Sequence, residues 1–206
     1  MSDQLPSGAR ISPSVARNRG PILSALKPHL PKSGIVLEIA AGTGEHAIHC
    51  AASLPGLQWQ PTDPDPEALA SISAWRDAAA LPNLLAPLRL DAAAPDTWPI
   101  TSANAIVNIN MIHISPWAAT QGLLNGAGRI LAAGDPLFLY GPYIERDVDT
   151  APSNLAFDQS LRDRNPQWGI RHLNEVTALA RQHGLELSER VAMPANNVAL
   201  IFRKIS

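Results

Sequence analysis

Apolar residues along this chain gather in short runs, each closed by a polar, glycine- or proline-bearing turn and followed by a stretch with helical spacing. Such runs predict strands at residues 34–40, 57–62, 84–90, 104–111 and 136–141. Helices are predicted to follow, to about residues 52, 80 and 131 after the first, second and fourth strands. Asp65-Pro66 and Ser115-Pro116 each offer a cap plus a first-turn proline. Further helices are expected over 154–164 and over 173–183, the latter stopped by Gly184. Residues 1–20 read as irregular, with a short helix over 21–27 that Pro28 and Pro31 end. Runs at 185–191 and 197–204, separated by Ala192-Met193-Pro194-Ala195-Asn196, suit a closing hairpin. Alternation of this kind predicts a single α/β domain over residues 1–206, with a mostly parallel sheet covered on both faces.

Chemistry first enters where the first strand ends. Ile35-Val36-Leu37-Glu38-Ile39-Ala40-Ala41-Gly42-Thr43-Gly44-Glu45-His46 is an apolar run with a carboxylate near its end, then a glycine-rich turn opening a helix. Gly42 and Gly44 allow close approach of backbone to a ligand, and the helix start offers free N–H groups. Glu38 is expected at the ligand crevice, where it suits a cationic ligand and repels a pyrophosphate. The same residues satisfy G-x-G-x-x-A through Ala47, so a nicotinamide-dependent oxidoreductase is the first alternative. The E-x-A-x-G-x-G pattern resembles motif I of class I S-adenosylmethionine-dependent methyltransferases, with Ala40 standing where that family usually has a glycine.

Two further strand ends are acidic. Asp63, after the second strand, could accept both ribose hydroxyls of a nucleoside. Asp91 ends the third, and the resemblance implies that it accepts from an adenine amino group. Both have a structural alternative as caps of strand-to-helix loops. In the fourth strand the period-2 rule puts Ala105, Val107, Ile109 and Met111 on one face and Ile106, Asn108 and Asn110 on the other. Asn110 is placed to reach a ligand, Asn108 to satisfy nearby backbone. His113 follows at the mouth of the expected site. It is the candidate base, with Tyr143 second.

Composition narrows the classes. A chain of 206 residues, 46% hydrophobic and 17% charged, with a formal net charge of −2, fits a globular domain and argues against broad nucleic-acid binding. No apolar run approaches a membrane span, and residues 1–6 lack the pattern of a signal peptide. Cys50 is the sole cysteine, so a reducing cytoplasm is the expected compartment. His46, His49 and Cys50 cluster on one helix, but no second ligand pair recurs and no metal is expected.

Further strings carry a closer resemblance, and two of them, R-N-P-x-W-G-I-R and M-P-A-N-N, are far more specific than motif I. They are the 14–23 segment with Arg17 and Asn18, Gly141-Pro142-Tyr143, Phe157-Asp158-Gln159-Ser160-Leu161-Arg162, Arg164-Asn165-Pro166-Gln167-Trp168-Gly169-Ile170-Arg171 and Met193-Pro194-Ala195-Asn196-Asn197. Together they resemble the methyltransferase-like protein 26 family over nearly the whole chain. The resemblance implies a Rossmann-like class I methyltransferase fold, with a seven-stranded sheet and one antiparallel strand in the closing hairpin. It also implies an S-adenosyl-L-methionine site. Residues 1–30 would then cover the cofactor, with Arg17 taking its carboxylate and Asn18 beside it. Residues 142–172 would overhang the crevice, with Arg162, Trp168 and Arg171 facing a small, possibly anionic acceptor. The structural alternative pairs those arginines with Asp158, Asp163 and Glu175. A non-catalytic cofactor-binding or interaction module is the second alternative.

Overall fold

A computed structural model describes residues 5–205, so the first four residues of the N-terminal segment and Ser206 lie outside the described residues. In chain order the elements are α1 (Pro13–Leu26), β1 (Gly34–Ile39), α2 (Glu45–Ser53), β2 (Leu57–Asp63), α3 (Pro66–Ala79), β3 (Leu88–Arg89) and β4 (Ala105–Ile109). There follow α4 (Trp117–Ile130), β5 (Pro136–Gly141), β6 (Tyr143–Ile144), α5 (Pro152–Arg164), β7 (Arg171–His172), α6 (Leu173–Gln182), β8 (Leu185–Met193) and β9 (Asn197–Lys204). Seven strands form one sheet in the order β3-β2-β1-β4-β5-β9-β8. The first five run parallel, and β9 pairs antiparallel with both β5 and β8. The order reverses between β1 and β4, and that switch point opens a crevice at the strands' carboxyl ends.

Two apolar layers hold the sheet. Leu37, Ile39, Ile106, Leu137 and Leu139 face α4 and α6. Val36, Trp59, Val107, Phe138 and Tyr140 face α1 and α2. Alternate residues of each central strand enter opposite layers, which explains the unbroken hydrophobicity of these strands.

Several sequence expectations change. Residues 13–26 form one helix rather than an irregular segment and a short helix, although Pro21 lies inside it. Pro13 begins the helix as a first-turn proline, while Val15, Ile22 and Leu26 are buried on both sides of Pro21. That shared buried face outweighs the backbone hydrogen bond Pro21 cannot make. The third strand shrinks to two residues, with only an isolated bridge between Trp59 and Leu84 ahead of it. β4 ends at Ile109, because Asn110 takes a left-handed φ of 63°. The alternation then breaks, and Met111 joins the layer opposite Ile109. Ser115 does not cap α4: Pro116 occupies that position, and the Ser115 hydroxyl is buried without a partner. Asp65 does cap α3, accepting from Glu67 N at 3.0 Å. Ala195 and Asn196, both with φ near 57°, turn β8 into β9 as an M-P-A-N-N hairpin requires.

α4 packs tightly against the segment after β3. The Trp98 indole donates to Asp91 O at 3.0 Å, and a Cβ at Gly122 would collide with the Ala92 carbonyl. Gly122→Ala normally strengthens a helix. Here it is expected to cost about 1–3 kcal/mol by overpacking, read as a lower denaturation midpoint at unchanged m-value.

Candidate cofactor site

The crevice at the switch point holds a cavity of about 650 Å³. Its floor is the turn after β1. Ala40, with φ 57°, and Gly42, with φ 58°, are both left-handed, and a Cβ on Gly42 would meet nothing within 4 Å. The turn is tied to its neighbour by Asp63. One carboxylate oxygen accepts from Gly42 N at 2.9 Å and the other from Asp65 N at 3.0 Å. Asp63 is 7% exposed and lines the cavity. Burial pushes its carboxyl up from the ordinary value, and the two backbone donors pull it partly back.

On the far side the wall is apolar, with Leu90, Ala92, Met111 and Ala119 beside Asp91. Asp91 accepts from Ala93 N at 2.8 Å. Asn110 lines the cavity and donates its backbone N–H to Tyr140 O at 2.8 Å. The N-terminal segment forms the third wall through Ser12, Ser14 and Val15. It is strapped to the glycine turn, since Ser12 N donates to Glu45 Oε2 at 2.6 Å. Arg10 N donates to the Ser71 hydroxyl, which in turn donates to Thr43 O, each at 2.8 Å.

Of the sequence candidates, Ala40, Gly42, Asp63, Asp91 and Asn110 therefore meet at one cavity. Gly44 sits one step behind as the N-cap of α2, its left-handed φ of 89° and the close Ile72 backbone excluding a side chain. Glu38 is a correction. It shares a face with Val36, points into the α2-side layer and is 1% exposed, and it accepts from the Trp59 indole N–H at 2.6 Å. It does not line the cavity. Burial, its largest cause, raises the carboxyl pKa to about 7, partly opposed by the Trp59 bond.

Both base candidates also move. The His113 ring packs against Gly141 and edge-on to Phe157 at 5.6 Å, away from the cavity lining. Burial and the charges of Arg171 and Arg164 lower its pKa to about 4, so it is neutral at pH 7 but a weak base. Tyr143 is a buried core residue whose hydroxyl pKa is raised by burial. No residue of 142–172 lines the cavity; the insertion grips its wall from behind. Arg162 pairs with Asp158 at 2.8 Å. Arg171 donates to Ser115 O and Gln167 O, each at 2.7 Å, and its guanidinium lies over Trp117. Trp168 stacks beneath Arg164, and Gly169 N donates to His113 O at 3.0 Å. The R-N-P-x-W-G-I-R string thus works as a buckle that fixes the loop after β4. Arg17 is exposed and off the cavity. The Asn18 amide instead lies beside the Tyr140 hydroxyl.

Sequence reasoning missed Ser12, Ser14, Thr43, His46 and Ser115 as lining residues. Ser12-Pro13 carries the same helix-start signal as Asp65-Pro66, and it places the first two. Nothing local distinguishes Ser115. Among the described residues no three His, Cys, Asp or Glu side chains converge as metal ligands do. No helix there is long and apolar enough to cross a membrane.

The chain belongs to the family described as a protein of unknown function (DUF938), whose sequence profile matches residues 9–204. Its fold is that of the class I methyltransferases. An O-methyltransferase family protein from Burkholderia thailandensis superposes with a TM-score of 0.79 at 15% identity over 94% of this chain. A family 2 O-methyltransferase from Planctomyces limnophilus, solved with apigenin, gives 0.77 at 16% over 93%. Human N-acetylserotonin methyltransferase, solved with S-adenosylmethionine, gives 0.74 at 14% over 94%. This chain spans 58%, 59% and 53% of those proteins respectively.

The buried Glu38 makes a pH prediction. Between pH 4.5 and about 7 the unfolded chain releases this proton while the folded chain keeps it, so stability falls as pH rises through that window. The full loss attributable to Glu38 is about 3 kcal/mol. Glu38→Gln keeps an acceptor for Trp59 and is expected to flatten the decline, as read by urea unfolding at several pH values. An unchanged slope in the variant would mean that Glu38 is ionised in the folded protein.

Proposed function

We propose that this protein is an S-adenosylmethionine-dependent methyltransferase acting on a small, uncharged acceptor. The observation that carries the reading is the donor set of the cavity. Two carboxylates, Asp63 and Asp91, line it with a left-handed glycine turn and an apolar slot, and no Lys or Arg side chain does. Such a lining suits a cationic nucleoside and opposes a pyrophosphate, which speaks against a nicotinamide cofactor. The methyltransferase fold agrees with it. The finer kinship, to the methyltransferase-like protein 26 family, is part of the same proposal and rests on the R-N-P-x-W-G-I-R and M-P-A-N-N strings.

When bound, the cofactor supplies a methyl group on a sulfonium, whose departure as a neutral thioether removes the need for metal or covalent assistance. The protein's part is to bind, orient and exclude water. Asp63, already fixed by Gly42 and Asp65, keeps lone pairs for ribose hydroxyls. Asp91 is the acceptor for an adenine amino group, and Leu90, Ala92, Met111 and Ala119 form a dry slot for the ring. Asn110 and the hydroxyls of Ser12 and Ser14 are the polar groups left for the acceptor. The arginines expected to hold an anion are engaged elsewhere, which is why an uncharged acceptor replaces the anionic one. With His113 and Tyr143 off the cavity, no base of ordinary strength is supplied by either.

Isothermal titration with S-adenosylmethionine and S-adenosylhomocysteine tests the cofactor. Micromolar binding is expected, weakened roughly tenfold or more by Asp63→Ala and left unchanged by Arg162→Ala, in keeping with a lost charge-assisted hydrogen bond of about 1.5–3 kcal/mol. Absence of binding, or binding of NAD alone, would overturn the reading. Transfer of labelled methyl is expected to neutral hydroxyl or amino compounds. Turnover confined to carboxylates or phosphates would sink the acceptor class.

A further inference from the structure

A second cavity, of about 190 Å³, lies between the start of the 142–172 insertion and the closing hairpin. It shares no lining residue with the cofactor cavity. One wall is drawn from residues 143–154, the other from residues 190–198. The M-P-A-N-N string thus helps to build a pocket as well as a turn.

Two polar side chains here are buried yet open onto the cavity. Tyr143 is 5% exposed, and its hydroxyl has no hydrogen-bond partner among the described residues. That oxygen is not sealed within the protein as the Ser115 and Thr120 hydroxyls are, so it faces the cavity its ring lines. Burial raises its pKa, and the group stays a neutral hydroxyl. Asn154 is 9% exposed and donates from Nδ2 to Asn196 O at 3.0 Å. That bond fixes the amide and leaves Oδ1 as an unpartnered, unsealed acceptor. Buried polar groups without partners are costly, and two of them around one polar cavity mark a place for a ligand.

Charge decides the sign of that ligand. Glu145 and Asp149 line the cavity against a single cation, Arg190. Arg190 is committed to Glu145, from Nη2 to Oε1 at 2.6 Å and from Nε to Oε2 at 3.2 Å. Asp149 has no ion pair among the described residues, so one negative charge is left over. Acceptors therefore predominate: Asn154 Oδ1, the Asp149 carboxylate, the spare lone pairs of Glu145 and those of the Tyr143 oxygen. Val148 and Met193 add an apolar side. At 190 Å³ against 650 Å³ for the cofactor cavity, the space admits a small group and excludes a nucleoside.

We infer that the cavity between the insertion and the closing hairpin binds a small organic ammonium, held by Tyr143, Asn154 and Asp149. The three N–H donors of an ammonium match a lining that is rich in acceptors and carries one net negative charge. A short alkyl body then rests on Val148 and Met193. The site is separate from the cofactor cavity and stands whether or not an adenosyl ligand binds there.

The probe is n-butylammonium chloride, with n-butanol and sodium butyrate as neutral and anionic controls of similar size. Amide proton–nitrogen NMR on the full chain reads both where the probe binds and whether each variant is folded. Butylammonium is expected to shift residues 143–154 and 190–198 saturably in the millimolar range, with both controls much weaker. Tyr143→Phe and Asp149→Asn are each expected to weaken it about fivefold. Asp149 is exposed, so its variant keeps the test open if the buried Tyr143→Phe fails to fold. Glu186→Gln, which removes an exposed hairpin carboxylate off the cavity, should change nothing. Equal shifts from n-butanol or butyrate would overturn the ammonium class. Unaltered affinity in either folded cavity variant would overturn the site, as would shifts centred on residues 40–46 that S-adenosylhomocysteine displaces. Absence of any saturable shift would leave the cavity to water and end the proposal.

Discussion

Asp63 joins the two turns on which the cavity is built. Its carboxylate holds the Gly42 amide on one oxygen and the Asp65 amide on the other. The turn after β1 is thereby set against the turn after β2, at the edge of the sheet's switch point. A left-handed backbone at Ala40 and Gly42 would otherwise be a local preference with nothing to select it. Because the same carboxylate is largely buried yet lines the cavity, it is presented to a ligand with its orientation already fixed. Little reorganisation is then needed when hydroxyl donors arrive.

The rest of the molecule braces that centre from three sides. Glu45 and Ser71 strap residues 10–14 onto the glycine turn. α4 presses on the 91–93 segment at Gly122, where no space is left for a Cβ. Arg171 and Gly169 hold the carbonyls of the 112–115 loop, so the wall after β4 stands on the insertion rather than on its own short turn. Charged residues that look like ligand-binding groups in the sequence are thus used to position backbone. A guanidinium donating to several carbonyls is a cross-brace, and it is no longer free to hold a substrate anion.

Glu38 shows how a motif residue can be legible while its role is not. Its position at the end of an apolar strand suggests a ligand contact, yet strand alternation turns it into the α2-side layer. There the Trp59 indole is its partner and burial favours the protonated form. The residue is still coupled to the site, because the Asp63 charge adds to the burial that raises its pKa. Its influence is structural and pH-dependent rather than one of direct contact.

What the sequence determined by itself was whatever depends on residues close together in the chain. Strand–helix alternation, the glycine turn, the acidic ends of β2 and β3, the Asp65 cap and the closing hairpin all follow from short-range patterns and backbone preference. They bring Gly42, Asp63, Asp91 and Asn110 to one cavity at one end of one sheet. Tertiary structure decided which way side chains turn and what they meet. Helix α1 runs through Pro21 because α2 and the sheet bury its face on both sides. His46, His113 and Arg171 owe their roles to neighbours far along the chain: the cavity wall, Gly141 and Phe157, and the loop carbonyls of residues 112 and 115. Spacing within the sequence carries no record of those partners, since they come together only when the sheet closes its two layers.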